Sequence, residues 1–195
     1  MPTDPGLYAC WNIAVKMAKG KYLNNANVDD VKKFDSIFLM SEYLDNNKNV
    51  NLVYGDSLIS KEPNLTYEKA LLTCKERFCF PEFSYDNLID CNPPHHSPLY
   101  RKELHEKYGY FDETMNSASD WEFWLRVAKE GALMSKIDEI TGVYYLNPKG
   151  VSTNPENHVW KSKEESCILK RYNINNITPK GNTKRIKLND QCYKY

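Results

Sequence analysis

Two acidic stretches carry the residue types that could do chemistry. The first, residues 20–30, reads as a short strand that runs into Asn24, Asn25, Asn27, Asp29 and Asp30. Ligands of open α/β sheets collect beyond the carboxyl ends of strands, and adjacent carboxylates there supply hard oxygen ligands for a divalent cation that holds phosphates. The second stretch, residues 117–124, sets Asp120 and Glu122 among Ser119, Trp121 and Trp124. A metal-phosphate site and a separate carboxylate together point to group transfer.

The elements that must position these residues follow from hydrophobic period and from Gly and Pro punctuation. Asp4 and Pro5 signal a helix start, and Leu7, Tyr8, Trp11, Ala14, Val15 and Ala18 recur at helical spacing until Gly20. A strand is expected over 22–26, a helix over 31–44 and a largely buried strand over 49–56 that ends at Asp56. Residues 60–94 are interrupted by Pro63, Pro81, Pro93 and Pro94 and read as a long functional loop with one short helix over 67–75. Beyond it the pattern predicts an extended piece over 97–101, helices over 102–108 and 119–130, strands over 133–137 and 142–146, and a last helix from Asn154 and Pro155 to Tyr172. The alternation argues an α/β fold with a mostly parallel sheet flanked by helices. Residues 1–172 form the domain. Residues 173–195 are polar and basic, and are expected to be mobile or to pack as an extended arm.

The 195 residues fit one domain, and a 41% hydrophobic content is enough for a core. Lys and Arg number 26, as do Asp and Glu, so no global field argues for nucleic acid or membrane. The six cysteines show no C-x-x-C pair, and their spacing around Cys74, Cys79 and Cys91 is irregular for zinc. No apolar run is long enough to span a bilayer, so reduced thiols and a cytoplasmic location are the default expectation.

Gly20-Lys21-Tyr22 through Asn27-x-Asp29-Asp30, after a helix containing Gly6-Leu7-Tyr8 and Trp11-Asn12, resembles the donor-site region of inverting family-two glycosyltransferases of the GT-A fold. The segments Leu99-Tyr100-Arg101-Lys102-Glu103-Leu104, Tyr108-Gly109-Tyr110-Phe111-Asp112-Glu113, Ala118 to Arg126 and Tyr144 to Ser152 are similar to that family's later segments in the same order. The resemblance implies a nucleotide-sugar donor, a Mn²⁺ or Mg²⁺ ion on its diphosphate, a glycan or other hydroxyl acceptor, and direct displacement at the anomeric carbon. It implies Asp120 as catalytic base and Asp29 with Asn27 as metal ligands. Asn12, Asn27, Asp29 and Asp30 fall on the donor side; His95, His96, Trp121 and Glu122 fall on the acceptor side.

Three departures from the family pattern matter. Asn27 stands where the family more often has the first acid of its D-x-D, and Asn147 stands where many relatives have a metal-contacting histidine. At an effective dielectric of about 20, two unit charges about 4 Å apart interact by roughly 4 kcal/mol, so metal and donor are expected to bind together. The resemblance also begins inside the usual domain, without the opening strands that carry base and ribose contacts. An unpaired edge beside residues 22–26 is then expected to invite a partner protein, and a non-catalytic, complex-forming subunit is the alternative function.

The residues also admit plainer readings. Adjacent histidines in an extended segment point to opposite faces, so His95 and His96 are not expected to meet one ligand together. Trp121 and Trp124 have the spacing of core residues, Glu122 and Arg126 that of an i,i+4 ion pair, and Asp56 that of a turn residue or a cleft residue.

Overall fold

The computed structural model describes residues 4–174 and 184–187. Helix α1 (Leu7–Met17) follows Pro5 and Gly6 and buries Tyr8, Asn12 and Val15, whose spacing of four and three puts them on one face. The chain then makes β1 (Tyr22–Asn24). Where a helix is expected over 31–44, it forms β2 (Val31–Lys32) before α2 (Ser36–Asn46). Phe34 falls between them and is fully exposed, whereas Met40 and Leu44 turn inward. A two-residue strand is too short for a period-2 pattern to register.

β3 (Val50–Ser60) is the central strand, and nearly every one of its residues is buried. Its apolar run continues beyond the expected end at Asp56 because the strand is covered on both faces. The proline-interrupted region that follows is more structured than expected: α3 (Tyr67–Thr73), β4 (Glu76–Cys79) and α4 (Tyr85–Cys91) occupy it. Thr66 and Ser84 start the two helices by accepting hydrogen bonds from the backbone N–H groups of Lys69 and Asn87. β5 (Leu99–Arg101), α5 (Glu103–Tyr108) and α6 (Ser119–Lys129) lie within a residue or two of expectation.

One continuous strand, β6 (Leu133–Tyr145), replaces the two expected strands. Asp138 and Glu139 break its hydropathy but not its backbone, which continues past them through register shifts against β3. A short 3₁₀ turn (Pro155–Asn157) leads into α7 (His158–Arg171). The tail contributes β7 (Lys184–Lys187), which pairs with β4, so this piece of the expected arm is a strand. Residues 175–183 and 188–195 of the tail lie outside the described residues.

The sheet is mixed and curled, and the expectation of a mostly parallel sheet is corrected. Only β3 and β6 pair in parallel; β1 with β5, β5 with β3, β3 with β4, β4 with β7 and β2 with β6 are antiparallel. The single helix α3 between β3 and β4 does not cross the sheet; it returns the chain as a reversal. Among the described residues β1 pairs with β5 alone.

The main core lies where α1, α4 and α6 meet the sheet around Leu88, Phe123, Trp124 and Leu125. His105 stacks on Phe123 at a ring separation of 4.4 Å, and Phe111 packs on Phe123 at 5.1 Å, contacts worth about 0.5–1.5 kcal/mol each beyond area burial. A second cluster, Met40, Leu44, Val50, Val53 and Leu99, seals α2 against β3.

Candidate active site

Asp120 is the second residue of α6, where the free N–H groups of the first turn favour an anion. The Tyr8 hydroxyl donates to its Oδ1 at 3.0 Å, and the Asn92 amide donates to its Oδ2 at 3.3 Å. Burial pushes the Asp120 carboxyl above the usual carboxylate range, against the pull of Tyr8, the Trp121 N–H and Asn92. A carboxylate raised in this way is a stronger base when ionised.

The second acidic group forms beyond the end of β1. Asp29 Oδ2 accepts from Asn147 Nδ2 at 3.0 Å, and the Asn147 Oδ1 accepts from the Lys149 N–H. Asp30 faces the protein instead. Its Oδ1 accepts from the Tyr145 N–H at 3.0 Å, its Oδ2 accepts from Asn27 Nδ2 at 2.8 Å, and His96 Nδ1 lies 3.2 Å from Oδ2. Burial opposes ionisation of Asp30, but His96, Asn27 and the Tyr145 N–H together hold its carboxyl below the usual range. Lys32 closes the back of the group by donating to the Asn25 carbonyl at 2.5 Å and to Ser97 Oγ at 3.2 Å.

Of the expected metal ligands, Asp29 keeps one oxygen and Asn27 its amide oxygen without a protein partner among the described residues. No three His, Cys, Asp or Glu side chains converge on one point among those residues. One charged oxygen donor and one neutral one fit a cation only if phosphate oxygens complete its shell. Asn147 has both ends of its amide engaged and is not free to join them.

A five-residue strap, residues 92–96, connects the two acidic groups. Asn92 grips Asp120 at one end, and His96 meets Asp30 at the other. The strap bends because Asn92 (φ 45°) and His95 (φ 46°) both adopt the left-handed conformation, and the His95 N–H closes on the Asn92 carbonyl at 3.0 Å. The expectation that the two histidines diverge fails for this reason: it assumed an extended segment. Their rings lie 5.3 Å apart and share an aromatic cluster with Phe78, Phe80 and Tyr144. Burial pushes the His95 imidazole down to about 3, so it is neutral at physiological pH. His96 Nε2 meets Ser57 Oγ at 2.7 Å. Gly142 makes room for this packing, since a Cβ there would stand 2.5 Å from the Val31 carbonyl oxygen and 3.5 Å from the His96 ring.

Other expected site residues lie elsewhere. Asn12 is buried and spent on the scaffold: its Nδ2 donates to the Phe111 carbonyl and to Glu113, and its Oδ1 accepts from the Phe111 N–H. Glu122 is 2% exposed and enclosed by Arg126, Arg171 and the Tyr172 hydroxyl, a buried ion network rather than a solvated pair. Trp121 is half-buried, with its indole N–H donated to the Leu88 carbonyl. Asp56 faces neither turn nor cleft; it forms a buried pair with Lys136 at 3.0 Å and accepts from the Phe80 N–H. Sequence reasoning missed Tyr8, Asn92 and Ser57. Tyr8 carries the spacing of a core residue, and only Asn92, just before Pro93, has a local signal, that of a helix C-cap.

No model of a known protein family matches the chain. It is 25% identical over 152 residues to the "PGL/p-HBAD biosynthesis glycosyltransferase" of Mycobacterium bovis, a match that covers 77% of this chain and 54% of the relative. It is 23% identical over 161 residues to an uncharacterized glycosyltransferase of Methanocaldococcus jannaschii, covering 82% and 52%. The chain thus spans about half the length of the curated relatives it matches. The crystal structure of S. aureus TarS 1-349 superposes with a TM-score of 0.57 at 16% identity, over 87% of this chain and 47% of that one, and so does its complex with UDP. No helix among the described residues is long and apolar enough to cross a membrane. The chain therefore shares its fold with TarS, and its sequence likenesses support kinship with glycosyltransferases.

Proposed function

We propose that this chain is an inverting glycosyltransferase of the GT-A type that moves a sugar from a nucleotide donor to a hydroxyl of a glycan or similar acceptor. The observation that carries the reading is the strap 92–96, which joins a raised carboxyl, Asp120, to the Asp29–Asp30 group. Asp120 takes the proton of the acceptor hydroxyl as the oxygen bonds to the anomeric carbon, the bond from that carbon to the diphosphate breaks, and the nucleoside diphosphate leaves. One base and one displacement invert the anomeric configuration. Tyr8 and Asn92 orient the base, while Asp30 fixes the loop from Asn27 to Asp29.

Asp29 and Asn27 would hold a Mn²⁺ or Mg²⁺ ion together with the diphosphate. When bound, that ion neutralises charge on the departing phosphates. That TarS, a structural neighbour, forms a complex with UDP supports a nucleoside diphosphate as part of the donor. Nucleotide release from UDP-, GDP- and dTDP-sugars with manganese, measured on the native chain and on Asp120→Ala, tests the reading. Release by the native chain and its loss in the variant are expected. No release by either would assign the chain to the non-catalytic, complex-forming class.

A further inference from the structure

Six buried side-chain polar atoms among the described residues lack a hydrogen bond of good geometry, and three of them belong to the strap: Asn92 Oδ1, His95 Nδ1 and His96 Nδ1. Such orphans are rare in native proteins and call for a cause. The same five residues hold two non-glycine residues in the left-handed conformation, whose cost persists only where the surroundings enforce it. Strain and missing hydrogen bonds thus coincide in a segment that touches both acidic groups. The nearest acceptor of His96 Nδ1 is Asp30 Oδ2 at 3.2 Å, close enough to bond but out of line. The other ring nitrogen is held by Ser57 Oγ, so the adjustment that would align the pair falls to the Asp30 side, on the loop that carries Asn27. Catalytic hydrogen bonds commonly tighten only when substrate is bound.

We propose that residues 92–96 are the positioning element of the reaction: His96 orients Asp30 at the donor end, Asn92 orients Asp120 at the base end, and donor binding releases the strain of the resting strap. The inference rests on the glycosyl-transfer reading above. It assigns separable effects to the two ends. Loss of His96 disturbs the loop that receives the donor, whereas loss of Asn92 disturbs the base.

The test uses the full chain with manganese and UDP-glucose, UDP-galactose, UDP-N-acetylglucosamine, GDP-mannose and dTDP-rhamnose, read as nucleotide release. His96→Gln is expected to raise the donor KM about tenfold with a smaller change in kcat, and Ser57→Ala to raise it about threefold. Asn92→Gly is expected to lower kcat about tenfold at an unchanged donor KM. It should also lower Tm, because the Asp120 carboxyl loses a hydrogen-bond donor. Nitrogen-15 spectra should show the His96 imidazole shifting when donor binds. Native turnover in which the variants alter KM and kcat alike, or in which the His96 signals stay fixed, overturns the strap alone. A native chain that neither binds nor turns over any of these donors overturns the transfer reading with it.

Discussion

The hydroxyl of Tyr8 lies 3.0 Å from Oδ1 of Asp120, joining the first helix of the chain to the first turn of α6. Tyr8 is almost wholly buried and contributes to the main core as well, packing on Trp11 and Phe111. One residue therefore serves both the core and the carboxyl proposed as base.

Tyr8→Phe keeps the ring and deletes the donor. The hydrogen bond holds the Asp120 carboxyl down against burial, so its loss moves the carboxyl further up, and the acid limb of the pH–rate profile shifts to higher pH. A bond to a charged group is worth about 1.5–3 kcal/mol, so urea denaturation should show a loss of that order.

Asp120→Asn should lower nucleotide release by about 10²–10⁴-fold, the range of a positioned general base. Stability moves the other way. A carboxyl raised by folding contributes stability that is complete below its unfolded pKa and lost as pH rises through the folded one. Above the folded pKa the native chain has lost that contribution, whereas the neutral amide avoids the burial of charge. The melting temperature of the variant relative to the native chain is expected to rise with pH, and thermal melts across the pH range check it.

Glu122→Gln separates the acceptor role implied by resemblance from the network the structure contains. Breaking a buried pair by removing one partner costs about 3–5 kcal/mol, and the partial exposure of Arg126 and Arg171 places the expected loss at about 3 kcal/mol. Equilibrium unfolding should report it. An undiminished unfolding energy with altered acceptor preference would restore the acceptor role.

Asn27→Asp puts a second charge at the proposed metal end but sets it against Asp30, whose Oδ2 now accepts from the Asn27 amide at 2.8 Å. The variant should melt below the native chain without metal and recover with Mn²⁺. Calorimetry should give at least a tenfold tighter Mn²⁺ Kd for the variant. For the native chain, tight Mn²⁺ binding is expected only with a nucleoside diphosphate present.

Most of the elements near the site are legible in the sequence. Helical period and Gly punctuation locate α1 and α6, and a fully buried run locates β3. β2 and β4 are too short for periodicity, and Asp138 with Glu139 disguises β6 as two strands. The site divides similarly. Asp29 and Asp120 are visible as residue types in a recognisable order. Their partners are not, because Tyr8 meets Asp120 across 112 residues and Asn147 meets Asp29 across 118, distances that local pattern does not encode. The bend at His95 is hidden for a different reason: a left-handed backbone is uncommon even for His, Asn and Asp, the side chains that favour it, so the residue type alone does not mark the position.

The parallel partnership of β3 with β6 sets the order in which the chain matures. No hairpin can join two parallel strands, so everything between Ser60 and Leu133 must find its place around their contact. Pairings so remote in sequence close slowly, against the entropy of the intervening loop. Asn147, carried just past the end of β6, reaches Asp29 only after that closure. In a refolding experiment, helical signal is expected to return first and the Asn147–Asp29 contact last.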